Sequence, residues 1–151
     1  MRITVLGASG MAGTAVVNEA LSRGHEVTAV SRRRRHLAGA GVTSCLLDVA
    51  DVEGVAGLLK DSDAAVVALR PPAGHESDLA RLTTAVLDAA SRGRTPLLII
   101  GGAAALSSPT DPRTLAIDDP TIVPPAWRDV AQASLDQFRA CQAHSYKGWV
   151  Y

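Results

Sequence analysis

The sequence holds 151 residues, 47% hydrophobic and 20% charged, enough chain for a single domain over 1–151 with a real core. Fifteen basic and fifteen acidic side chains cancel, which argues against a protein built mainly to grip nucleic acid or an anionic membrane. Aromatics at 3% provide no stacking platform for single strands, and Cys45 and Cys141 form no CxxC pair or disulfide framework and read as buried thiols.

The first residues enter a structured pattern at once, without a charged leader or a small-residue cleavage site, and no run approaches the roughly 18 apolar residues that span a bilayer. The expectation is a soluble, cytoplasmic protein with no membrane partner. Ile3 to Leu6 reads as a first strand closed by Gly7, and Met11 to Arg23 as a helix stopped at Gly24. Glu26 to Val30 is a second strand, ending at Ser31 and the run Arg32-Arg33-Arg34-Arg35. Val42 to Leu47 is a third, ending at Asp48, after which Asp51 can cap a short helix through Lys60.

Ala64 to Leu69 is an apolar fourth strand terminated by Arg70-Pro71-Pro72. Leu79, Leu82, Val86, Leu87 and Ala90 form one apolar face of a helix from Glu76 to Ser91, beginning beside His75, Glu76 and Asp78. Those three have no partner at metal-ligand spacing and read as exposed helix-start residues. Leu97 to Ile100 is a fifth strand, ending in Gly101-Gly102. Pro109, Pro112, Pro120, Pro124 and Pro125 predict a long loop over 103–126, with Asp118-Asp119 as solvated turn residues. A last helix from about Trp127 to His144 aligns Trp127, Val130, Ala131, Ser134, Leu135 and Phe138 on a core-facing stripe. His25, His36 and His144 have no carboxylate partner visible in the sequence. Gly148-Trp149-Val150-Tyr151 opens a sixth strand, and this apolar ending predicts that further chain follows.

Strands alternating with helices imply right-handed crossovers, and almost wholly apolar strands imply burial on both faces: a doubly wound α/β fold with a parallel sheet. Gly7-Ala8-Ser9-Gly10-Met11-Ala12-Gly13 joins the first strand to the first helix. In that context Gly7 makes the tight turn, Gly10 admits a pyrophosphate to the backbone and Gly13 lets helix and strand pack closely. The N–H groups of the helix start then bind phosphate, and the Ser9 hydroxyl can add a donor. No Gly-Lys-Ser/Thr follows, which excludes the nucleotide triphosphate loop.

In a dinucleotide-binding fold the end of the second strand meets the adenosine ribose. Arginine there favours a 2′-phosphate, so Ser31, Arg32 and Arg33 predict NADP(H) in preference to NAD(H), part of the arginine run being solvated. Asp48 either accepts from the adenine amino group or caps the next turn, with Val49 beside it. Ala68, Leu69 and Arg70 at the fourth strand, and Gly101 and Gly102 at the fifth, are expected to line the cofactor.

Together GASGMAG at 7–13, Ser31-Arg32, Asp48, the string Gly101-Gly102-Ala103-Ala104-Ala105-Leu106 and the terminal Trp149-Val150-Tyr151 resemble the atypical short-chain dehydrogenase/reductases. The resemblance covers essentially all 151 residues and points to the NAD(P)H-binding, NmrA-like branch, which includes NADH-flavin reductases and the biliverdin-IXβ/flavin reductase. It implies a Rossmann fold whose C-terminal part is truncated here, since family chains continue into a substrate-covering segment. Two departures stand out. Tyr146 and Lys147 are adjacent, so the wider superfamily's Tyr-x-x-x-Lys dyad cannot form on one helix face. Ala105 replaces the serine of the branch's GGAGSL string, with Ser107 the nearest substitute.

The implied activity is an NADPH-dependent reductase that passes a hydride to flavin or a similar small conjugated acceptor, acting as monomer or homodimer. Flavin reduction needs no dedicated side-chain acid, whereas ketone reduction does. The alternatives are an NADP(H)-binding redox sensor without turnover, as the branch also contains, or a sugar-nucleotide epimerase-like enzyme.

Overall fold

The computed structural model describes residues 1–33 and 40–151; Arg34, Arg35 and His36 lie outside the described residues. Among the described residues six strands form one sheet: β1 (Arg2–Leu6), β2 (Glu26–Ser31), β3 (Val42–Leu46), β4 (Ala64–Val67), β5 (Leu97–Ile99) and β6 (Trp149–Val150). Their order is β3-β2-β1-β4-β5-β6, with every pairing parallel. The connecting helices are α1 (Met11–Ser22), α2 (Val52–Lys60), α3 (Asp78–Gly93) and α4 (Arg128–Ala143). The chain leaves β1 toward β2 on one side and returns to β4 on the other, so the strand order reverses at β1, where such sheets open a crevice.

Strand alternation sorts the core into two layers. Leu6, Val30, Ala65, Val67, Leu97 and Ile99 pack with Val55 and Leu59 of α2, Val86 and Leu87 of α3 and Cys141 of α4. Val5, Val27, Ala29 and Val66 face the other way, against Val17 and Ala20 of α1. The middle of β1 and β4 is therefore buried on both faces and mostly apolar, the polar residue there being Thr4, whose hydroxyl lies 2.7 Å from Ser62 Oγ. β3 departs from that expectation. It stands at the edge of the described sheet, and Thr43, Ser44 and Leu46 are exposed. Asp51 caps α2 through an N–H bond from Gly54 at 3.0 Å, as its position predicts. Cys141 is fully buried, and burial pushes its thiol up to about 11. Cys45 is only half-buried.

The α4 stripe is rotated from the one predicted. Ser134 and Leu135 are buried as predicted, but Trp127 and Val130 are exposed, and Ala133, Gln137 and Cys141 are buried in their place. A polar residue holds the centre of that face because Gln137 has a partner there, Thr83 Oγ1 on α3 at 3.1 Å. His144 has a carboxylate partner that the sequence does not show. Its Nε2 lies 3.0 Å from Asp88 Oδ1, and its Nδ1 accepts the Tyr146 N–H, so the ring pins the end of α4 to α3.

The proline-rich segment is a folded loop, with short 3₁₀ turns at Ala103–Ala105, Ala116–Asp118 and Pro125–Trp127 and an antiparallel bridge between Ser107 and Leu115. Ala104 and Ile117 pack on Leu135 of α4. Asp118 is exposed to the degree predicted, pairing with Arg128, but Asp119 is not a solvated turn residue. It is buried and accepts the hydroxyls of Ser108 at 2.6 Å, Thr121 at 2.6 Å and Thr110 at 2.9 Å, together with the Thr121 N–H. These bonds hold its carboxyl well below the usual carboxylate range.

Because the folded value is depressed, the stabilisation is complete above the unfolded range near pH 4 and is lost as pH falls toward the folded value. Asp119→Ala is expected to accelerate proteolysis and amide exchange over 107–121 at pH 7, and the gap to wild type should close in strong acid. Equal rates at pH 7 would show that the carboxylate does not hold the loop.

Candidate functional site

The C-terminal ends of β1, β2 and β4, with the turn after β3, border a cleft of about 360 Å³. β1 ends on Gly7, whose φ of +88° and closeness to Ala68 O leave no room for a side chain. The Gly7 and Ala8 N–H groups both donate to Val30 O at 3.0 Å, tying the loop to β2. Gly13 is pressed against Gly7 O and the Ala8 Cα, so the first turn of α1 rests on the loop itself. Gly10 differs: its φ is −77°, and an added Cβ would meet only Gly7 O at 3.4 Å. Nothing in the fold needs glycine there, yet a side chain at that position would enter the space before the helix.

That helix start is open. Its N-cap, Gly10, has no side chain to cap it, and its first turn has no acidic residue. The opening N–H groups therefore keep donor capacity and the positive end of the helix dipole. Met11 and Ala12 contribute through this backbone; the Met11 side chain points to solvent, 91% exposed, and Gly13 is buried. Ser9, on the loop itself, lines the cleft.

The wall beyond β2 is cationic. Arg32 and Arg33 line it, and the Ser31 hydroxyl donates to Arg33 O at 2.7 Å, which shapes the turn that presents them. Asp48 and Val49 line the cleft after β3. Asp48 Oδ1 accepts the Ala50 N–H at 2.9 Å, so the turn-capping role is present in the geometry while the residue still borders the cavity. Beyond β4, Ala68, Leu69 and Arg70 form the opposite wall, with Pro71, Pro72 and Leu82. The last three, together with Leu47, were missed in sequence, where Leu82 read simply as helix core. Its position in the first turns of α3, next to the strand ends, is the signal that places it on the cleft. Among the described residues three arginines face one carboxylate here, a locally positive crevice in a neutral chain.

Gly101 and Gly102 are exposed but do not border the cleft. Instead Gly101 lies flat against the Tyr151 ring, and the Gly102 N–H donates to Ser134 Oγ at 2.9 Å. The Tyr151 hydroxyl donates to Ser134 O at 3.0 Å, linking β6, α4 and the end of β5. Tyr146 and Lys147 are occupied elsewhere. The Tyr146 hydroxyl donates to Thr95 O at 2.7 Å, before β5 and so at the opposite edge of the sheet, and Lys147 Nζ donates to Gln142 O. Burial pushes the Tyr146 phenol up. Ser107 is exposed and Ala105 lies in a 3₁₀ turn; neither lines the cleft. Among the described residues no three His, Cys, Asp or Glu gather as a metal site, and no helix is long and apolar enough to cross a membrane.

An open helix N-terminus, an unobstructed glycine before it and guanidinium groups to one side match the charge and shape of a dinucleotide. Comparison with known proteins agrees. The profile of an NAD(P)H-binding family matches residues 7–143. The Bacillus subtilis protein YwnB is 34% identical over 123 residues, 80% of this chain and 56% of that one. A candidate NADH-flavin reductase from Streptococcus pneumoniae superposes with a TM-score of 0.84 at 26% identity, covering 99% of this chain and 69% of that structure. A candidate epimerase from Bacteroides thetaiotaomicron gives 0.79 at 27% identity, covering 91% and 62%. The chain thus spans little more than half the length of its curated relative.

Proposed function

The chain belongs to the NAD(P)H-binding family, and from that premise we propose that residues 1–151 form one NADP(H)-binding domain of a reductase acting on flavin or a similar small conjugated acceptor. The observation that carries this reading is the cleft that joins the open start of α1 to Arg32 and Arg33 at the end of β2. In this assignment the Met11, Ala12 and Gly13 backbone and the open face of Gly10 hold the pyrophosphate, with Ser9 beside them. Ser31, Arg32 and Arg33 hold the 2′-phosphate, Asp48 and Val49 border the adenine, and Ala68 and Leu69 flank the nicotinamide half. Gly101 and Gly102 lie at the adjoining strand end, outside the cleft and against Tyr151 and Ser134.

When bound, the reduced nicotinamide supplies a hydride, and the acceptor's further proton comes from water. The cleft suits this division of labour because its described lining offers no group poised as an acid: the ionisable residues there are arginines and Asp48, whose capping bond fixes one oxygen. The same lack of an acid favours a second reading, an NADP(H)-binding regulator without turnover.

Purified protein mixed with NADPH and flavin mononucleotide distinguishes them. Loss of the nicotinamide absorbance at a rate proportional to protein is expected. Tight NADPH binding without oxidation across several acceptors would favour the regulator, and no binding of either dinucleotide would remove both readings.

A further inference from the structure

We propose that Arg70 is a specificity residue for the acceptor, holding a peripheral anionic group, so that the domain prefers phosphorylated over neutral ring acceptors; this rests on the reductase reading above. Arg70 follows β4, whereas Arg32 and Arg33 follow β2, and β1 runs between those strands. Neighbouring strands lie about 4.8 Å apart, so the two cationic walls stand roughly 10 Å from each other across the phosphate loop. A dinucleotide laid over that loop spends its diphosphate on the α1 start and its adenosine phosphate on the β2 side. Its nicotinamide half brings no further anion to the β4 side, and the Arg70 charge is left unmatched.

The side chain is also uncommitted within the protein. Arg2, Arg23, Arg81, Arg92, Arg113, Arg128 and Arg139 each pair with a carboxylate, whereas Arg70, like Arg32, Arg33 and Arg94, has no ion-pair partner among the described residues. Its backbone is directed by the next two residues: a residue before proline is confined to extended conformations, and Pro71 and Pro72 contribute no N–H of their own. Leu69, Pro71, Pro72 and Leu82 make the adjoining wall apolar. A flat ring against that wall with an acidic tail reaching the guanidinium fork uses both halves of the surface.

Flavin fluorescence titrations with flavin mononucleotide and with riboflavin, each with and without saturating NADP⁺, test this at low ionic strength. Wild type is expected to bind the mononucleotide about tenfold more tightly than riboflavin. Arg70→Gln should erase that preference while the affinities for riboflavin and NADPH move less than about twofold, and Arg70→Lys should retain part of it. Equal binding of the two flavins by wild type would overturn the proposal. So would a parallel loss of NADPH affinity in Arg70→Gln, which would assign the guanidinium to the dinucleotide. Failure of wild type to bind NADPH at all, by contrast, sinks the reductase reading and is seen in a separate titration without flavin.

Discussion

Gly10→Val is expected to weaken NADPH and NADH alike by at least about 100-fold while the protein stays folded. The magnitude reflects the loss of two or more charge-assisted hydrogen bonds to the diphosphate, each about 1.5–3 kcal/mol. The structure separates this from a folding defect. Gly10 has φ −77°, and a Cβ meets only Gly7 O at 3.4 Å, so the valine methyl groups project into the cleft and not into the core. Loss of a favourable N-cap type should destabilise by only about 0.5–1 kcal/mol, a Tm shift of about 1–4 °C. Gly13→Val supplies the contrast. Its side chain would overlap Gly7 O and the Ala8 Cα, and about 3 kcal/mol of destabilisation is expected, with Tm lower by about 6–12 °C. Isothermal titration and thermal melts of both variants check the pair; tight binding by Gly10→Val would show that no diphosphate lies over the loop.

Arg32→Glu should cost roughly 100-fold in NADPH affinity and change NADH affinity by less than about threefold. A guanidinium bonded to a phosphate contributes about 1.5–3 kcal/mol, and the reversed charge adds repulsion that NADH, lacking the 2′-phosphate, does not meet. The effect should shrink as salt is raised, since the site opens to solvent and the interaction is screened over about 8–10 Å. Arg33 shares this wall, so Arg32→Ala alone should have a smaller effect than the glutamate. Equal losses for both dinucleotides, or none for either, would refute the assignment of this wall to the 2′-phosphate.

The glycine loop was legible because its chemistry is local. A strand, a turn requiring positive φ at Gly7 and a helix opened by Gly10 are all written between Arg2 and Gly13. The same holds for the Asp51 cap, whose partner Gly54 lies on the next turn of chain. Strand and helix limits read from periodicity match the fold to within about two residues; β4 ends at Val67, two residues short of the expected Leu69, which frees Ala68 to Arg70 to line the cleft. Expectations failed where a residue's partner is distant or its neighbour absent. Asp119 looked like a turn former until Ser108 and Thr110 closed over it. His144 found Asp88, 56 positions away, and the α4 stripe turned because Thr83 was there to receive Gln137.

By itself, then, the amino-acid order determined the alternation of elements, the doubly wound class and the glycine turn between β1 and α1, since each arises from backbone conformation and side-chain period over a few consecutive residues. Only the tertiary structure decided which strand ends share one cleft, that Gly101 and Gly102 belong to the Tyr151 contact outside it, and that Arg70 borders it with no ion-pair partner among the described residues. Those facts depend on how separately formed elements pack side by side. Sheet order and helix rotation are set by the fit of whole faces, which no local pattern specifies.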